Sequence, residues 1–441
     1  MAMNDYGSAS HGEPPRAPWR VEEESRMTEK LHIETQLIHG AYAPNAETGA
    51  TTIPLVQSAA FAYKTAGDLE KVFSGRDAGF VYSRISNPTL DLFERRMNIL
   101  EDGLAAISCS SGMAAISATV LALAGTGDEI VSGNSVFGGT YSLFDRTLSR
   151  YGIKTHFVES TDIEAYRQAV TDRTKLIFVE TIGNPKLDVP DIAAIAEVAK
   201  EKGVVLVVDN TVTTPVLVQP KTIGADIVIH STSKYINGHG NAIGGIIIDC
   251  GTFDWSNPRY GHLKPFYDRV RNFAFMAILR NQVYRDLGCC FSPFNAFLMS
   301  IGVESLAVRM ERHCANALGV AEALAGDSRV EEVRFPGLKS HPNHEVAERQ
   351  FAGLYGALLT LRLGTKERSF RFIDGLERAQ NLANLGDAKT LVIHPASTLC
   401  QDATADERNA MGVTDDLVRF SIGLEHIDDI LSDIGQSLDQ L

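Results

Sequence analysis

The sequence has little of what marks secreted, membrane-bound or nucleic-acid-binding proteins. Cysteine is scarce: Cys109, Cys250, Cys289, Cys290, Cys314 and Cys400 are scattered over 441 residues without C-x-x-C spacing. Neither a disulfide framework nor a cysteine metal site is expected from that pattern, and no metal is assigned. Basic residues are outnumbered, 41 against 55 acidic ones, for a formal net charge of -14, and they form no run of five or more. Nucleic acid and anionic membrane surfaces would be repelled, so small-molecule partners are expected. No apolar run approaches the roughly 18 residues that span a bilayer. The opening stretch MAMNDYGSASHGEPPRAPWRVEEESRM has no apolar core of the kind a secretion signal needs. A cytoplasmic location is the expectation. Residues 1–30 read as an extension without fixed structure, and Met27 offers a second start.

What is present is the material of a large folded protein. Hydrophobic residues make up 44% of the chain, and its length exceeds what one compact core usually holds. From Leu31 to Asn87 the sequence is rich in Thr, Ala, Gly and Pro and shows no sustained period, which predicts an extended arm over 31–87. Short apolar runs then alternate with amphipathic stretches: 105–109, 129–132, 153–158, 175–180, 204–209, 226–230 and 243–249. Strands apolar on both faces, alternating with helical patterns, predict an α/β domain with a mostly parallel sheet covered by helices, over 88–291. A long helical stretch from Ser292 to Ala325 follows, with strands expected in ALLTLRL and LVIHP, so 292–441 reads as a smaller α+β domain.

In an open α/β sheet the residues just beyond the strand ends are where ligands bind. The run VVLVVD ends on Asp209. The run DIVIH is followed by Ser231-Thr232-Ser233-Lys234 and then by the glycine-rich NGHGNAIGG. A lysine among small hydroxyl residues at a strand end suits an imine-forming amine, because neighbouring hydroxyls and N–H groups can hold a phosphate. Cys109-Ser110-Ser111-Gly112-Met113 turns from strand to helix, where backbone N–H groups and the helix dipole favour an anion. Lysine, phosphate cradle and a carboxylate for a ring nitrogen are together the requirements of pyridoxal 5′-phosphate (PLP). Ser231-x-x-Lys234 also matches a serine acyl-enzyme motif. That chemistry calls for S-D-N and K-T-G elsewhere, and neither tripeptide occurs.

YSRISNPT (82–89), SSGMAA (110–115), FGGTYSLF (137–144), DNT (209–211), HSTSK (230–234), NLGDAKTLVIHPAS (384–397) and VRFSIGLE (418–425) resemble, in this order, motifs of the Cys/Met-metabolism family of PLP enzymes, fold type I. The resemblance runs from about Ile33 to the C-terminus. It implies a seven-stranded PLP domain with helices on both faces, the smaller C-terminal domain, and an arm that reaches a neighbouring subunit in a homotetramer built from catalytic dimers. Lys234 would carry the cofactor and shuttle protons, and Asp209 would keep the ring nitrogen protonated. Ser110, Gly112, Met113, Ser231 and Ser233 would surround the phosphate, with Tyr82 and Arg84 arriving from the adjacent subunit. Asn184 would contact the ring oxygen, while Arg419 with Asn384 nearby would bind the substrate carboxylate.

Phe137 stands where the family often has a tyrosine stacked on the ring, so stacking survives and a hydroxyl is lost. Acid–base work then falls on Lys234 or Tyr82. The long segment 250–292 resembles the O-acetylhomoserine sulfhydrylase branch, and Gly139 replaces the cysteine usual in the lyase that degrades methionine. The activity implied is γ-replacement on O-acetyl-L-homoserine by sulfide or methanethiol. Cystathionine γ-synthase, O-succinylhomoserine sulfhydrylase and γ-lyase activities are the alternatives.

Overall fold

The computed structural model describes residues 31–44 and 49–441; the N-terminal extension expected over 1–30 lies outside them. Seven strands build the larger sheet: β1 (Ala105–Cys109), β2 (Glu129–Gly133), β3 (Lys154–Val158), β4 (Thr174–Glu180), β5 (Val205–Asp209), β6 (Ile227–His230) and β7 (Gly245–Asp249). Each falls within one or two residues of an apolar run in the sequence. Their order is β1-β7-β6-β5-β4-β2-β3, and all neighbours are parallel except β7, which runs antiparallel to both β1 and β6. β5 is buried along its whole length, as expected of a central strand covered on both faces.

The helices begin where the sequence offers caps. Helix α1 (Pro88–Leu100) starts with Pro88 after Asn87, whose side chain accepts from the Thr89 N–H. Helix α2 (Gly112–Leu123) starts after Ser111, whose hydroxyl accepts from the Ala114 N–H.

Two differences from the sequence reading stand out. The arm is not wholly extended, because Ile33–His39 and Ala66–Phe73 are short helices, the second capped by the Thr65 hydroxyl. The long helical stretch is two helices, α3 (Pro293–Glu304) and α4 (Leu306–Ala325), parted at Ser305. At the break, the Gly302 carbonyl accepts from the Ser305 N–H at 3.3 Å in a tight last turn and also from the Arg309 guanidinium at 2.7 Å.

The smaller sheet comprises β8 (Glu332–Arg334), β9 (Leu358–Arg362), β10 (Gln380–Asn381), β11 (Leu391–Ile393) and β12 (Leu417–Ser421), in the order β10-β11-β12-β9-β8. β9 and β11 match the strands expected in ALLTLRL and LVIHP. Central β12, which carries Arg419, was expected only as a motif.

Candidate active site

Asp209 closes β5, 8% exposed, and lies in register with Glu180, the last residue of β4. Both hydrogen bonds Asp209 accepts fall on Oδ1, from the Thr211 N–H at 3.0 Å and the Thr211 hydroxyl at 2.5 Å. Burial pushes its carboxyl up against the opposing pull of those two donors. Burial and then the neighbouring Asp209 push Glu180 well above the usual carboxylate range, and its Oε1 accepts from the Phe137 N–H at 2.7 Å. Phe137 is thereby tied to the same pair of strand ends. Neither Glu180 nor Thr211 is among the site residues expected from the sequence, although Glu180 meets the same strand-end rule as Asp209.

The Thr211 hydroxyl also accepts from the Ser231 N–H at 2.7 Å, joining the end of β5 to the turn that carries Lys234. That turn packs on the start of α2: a Cβ added at Gly112 would lie 2.7 Å from Ser231 Cβ and 3.0 Å from its hydroxyl. The first-turn N–H groups of Gly112 and Met113 have no acceptor within the helix, so donors converge beside the Ser231 hydroxyl. Ser233 is less free than expected, because its hydroxyl accepts from the Gly244 N–H at 2.9 Å and lies 3.2 Å from the Gly244 carbonyl. Ser110 is exposed, and its N–H bonds the Cys289 carbonyl.

Lys234 is half-buried, and its Nζ donates to Asn384 Oδ1 at 2.7 Å. Burial, with a smaller contribution from the nearby Arg419 charge, lowers its pKa to about 8. Arg419 is 3% exposed on β12; its Nη1 donates to Asn184 Oδ1 at 2.8 Å and its Nη2 to the Asn384 carbonyl at 3.0 Å. Among the described residues its Nε has no partner, and burial lowers its pKa to about 10. A buried guanidinium with an orphaned donor and no carboxylate is a site prepared for an anion. These features suit PLP: an amine able to lose its proton, a buried carboxyl with an unengaged oxygen, and converging donors at a helix start.

Tyr82 and Arg84 stand apart from this cluster. Tyr82 is 44% exposed, with the Arg84 guanidinium 5.6 Å from its ring centroid, and Arg84 donates to the Arg285 carbonyl. None of their hydrogen bonds reaches Lys234, Asp209 or Arg419.

Comparison with known proteins gives a consistent result. Residues 34–439 match the family described as Cys/Met metabolism PLP-dependent enzyme. An O-acetyl-L-homoserine sulfhydrylase from Leptospira meyeri is 43% identical over 93% of this chain and 98% of its own. A homocysteine synthase from Schizosaccharomyces pombe is 41% identical over 93% of this chain and 99% of its own. The crystal structure of a proposed O-acetylhomoserine (thiol)-lyase from Campylobacter jejuni, which contains a pyridoxyl-lysine monophosphate, superposes with a TM-score of 0.89. It is 33% identical and covers 93% of this chain and 100% of its own. The chain belongs to the Cys/Met metabolism family of PLP-dependent enzymes, and pyridoxal 5′-phosphate is its cofactor.

Proposed function

We propose that the protein is an O-acetyl-L-homoserine sulfhydrylase, which replaces the acetate on Cγ of its substrate with sulfide to give L-homocysteine. Methanethiol in place of sulfide would give L-methionine. The observation that carries this reading is the chain Lys234–Asn384–Arg419–Asn184, which sets an amine with a pKa of about 8 beside a buried cation that lacks an anion. The names borne by the relatives from Leptospira meyeri and Schizosaccharomyces pombe support this choice of substrate and product.

PLP, when bound, supplies an electron sink conjugated to the amino-acid substrate. Lys234 would hold it covalently; once freed by the substrate amine, it would take the proton from Cα, pass it to the far end of the conjugated system, and so be neutral again to take one from Cβ. Acetate leaves with the Cγ–O bonding pair, the sulfide sulfur bonds Cγ, and Lys234 returns protons to Cβ and Cα. An amine titrating near 8 suits both halves of this traffic at neutral pH.

Asp209, with an unengaged carboxyl oxygen, would face the ring nitrogen and keep it protonated, and Phe137 would stack on the ring. Gly112 and Met113 N–H groups with Ser231, Ser233 and Ser110 would hold the phosphate. Arg419 grips the substrate carboxylate, supplying its unused Nε. Asn184 spends its Oδ1 on Arg419, which leaves its amide donor for the ring oxygen. Tyr82 and Arg84 serve the site of a neighbouring subunit, within a homodimer or a tetramer of two such dimers.

Borohydride should fix the cofactor to Lys234, and Lys234→Ala should abolish the reducible linkage. The substrate reading is tested by assaying O-acetyl- and O-succinyl-L-homoserine with sulfide and methanethiol. Homocysteine formation from the acetyl ester should outpace any breakdown of methionine or homocysteine to 2-oxobutyrate. Comparable rates would make the protein a γ-lyase.

A further inference from the structure

The loop that follows Lys234 is held by a buried cation. Arg309, 6% exposed on α4, pairs with no carboxylate among the described residues. Its Nη1 donates to the Tyr235 carbonyl at 2.7 Å, its Nη2 to Gly302 at 2.7 Å and Ile236 at 3.3 Å, and its Nε to the Ser305 hydroxyl at 3.1 Å. Taking a guanidinium out of water is unfavourable, and only carbonyl and hydroxyl dipoles offset it here.

The loop closes around this group. Gly238 has a φ of +73°, and a Cβ there would strike the guanidinium. On the other side, the Ala388 N–H bonds the Gly238 carbonyl at 2.9 Å, and a Cβ at Gly386 would lie 2.6 Å from the Tyr235 nitrogen. Segment 235–238 is therefore held between Arg309 and segment 384–388. The latter presents Asn384, the acceptor of Lys234 Nζ.

We propose that Arg309 is a positioning residue for the Lys234 amine. By holding the Tyr235 and Ile236 carbonyls, it sets both the main chain that carries Lys234 and the seat of Asn384. The proposal rests on Lys234 being the cofactor lysine. A lysine at 309 would not replace it, since a point ammonium lacks the planar fork that reaches three carbonyls and a hydroxyl together.

The test compares wild type with Arg309→Lys, both loaded with PLP, after borohydride trapping in wild type has been mapped to Lys234. Absence of trapping at Lys234 would refute the cofactor-lysine reading itself, separately from the role of Arg309. Expected for Arg309→Lys are a shift of at least one pH unit in the absorbance titration of the Lys234 linkage, at least tenfold faster cofactor release and at least tenfold lower kcat. KM for O-acetyl-L-homoserine should stay within threefold, because Arg419 and Asn184 are untouched. A folded variant with the wild-type titration, release rate and kcat overturns the proposal, as does a raised KM with unchanged kcat. Gly238→Ala, which displaces the guanidinium without removing it, should show the same titration shift; a wild-type titration overturns the proposal. If neither variant folds, Arg309 serves folding rather than positioning, and the proposal is overturned.

Discussion

At the scale of single residues, the site depends on charges moved by burial. Lys234 titrates near 8 rather than the usual ~10.4, so its neutral, nucleophilic fraction falls about tenfold per pH unit below 8 and is nearly complete above it. Capture of PLP by the apo-protein should therefore accelerate as pH rises to about 8 and then level off. Stopped-flow absorbance would reveal this, and a rate still climbing beyond pH 10 would contradict it. Arg419 presents the complementary case, a buried donor without an acceptor, for which a substrate carboxylate is the natural partner. Arg419→Ala should lower kcat/KM by an amount equivalent to about 2–5 kcal/mol, chiefly through KM. The cofactor should remain bound with an unchanged visible spectrum. Loss of PLP from that variant would mean that Arg419 supports the cofactor instead of the substrate.

At the scale of elements, the start of α2 and the turn that carries Lys234, proposed to hold the phosphate, are kept in contact by the absence of a side chain. Gly112→Ala would place a methyl 2.7 Å from Ser231 Cβ and separate the start of α2 from the Lys234 turn. Overpacking of this kind is destabilising by about 1–3 kcal/mol, and here we expect it to appear as weaker PLP binding in a fluorescence titration of the apo-protein. The same elements show what was legible in the sequence. Central strands announce themselves because both faces are apolar, so all seven strands of the larger sheet, and with them Asp209 and Lys234, could be located. β12 was passed over as a strand because LVRFS sets a buried arginine among its apolar residues, and apolar pattern alone does not reveal a cation kept for a ligand. The break at Ser305 was hidden for a related reason. Arg309 spans it, bonding Gly302 before the break and the Tyr235 carbonyl far away in sequence, and no local propensity encodes the second contact.

At the scale of the whole molecule, the arm residues proposed to serve a site stand outside the one in their own chain. Tyr82 and Arg84 are exposed and separate from Lys234, in a stretch with little core of its own. If each arm serves a neighbouring chain, Lys234→Ala and Arg84→Ala should each impair the homo-oligomer. Co-refolding the two should restore part of the activity, because one site of a mixed dimer receives both intact residues. Mixed dimers that form but show no recovery would place Arg84 outside the neighbour's site. The antiparallel β7 adds a mechanical consequence. Lys234 lies in the connection between β6 and β7, and these strands sit side by side in the interior of the sheet, flanked by β5 and β1. Both ends of the lysine-bearing segment are thus fastened to interior strands of the sheet. Freeing it would require breaking a ladder in the middle of the sheet rather than fraying an edge. The ladder amides of β6 and β7 should therefore exchange with solvent only in rare openings of the sheet, so that the two anchors of the Lys234 segment stay fixed while the lysine side chain moves during turnover.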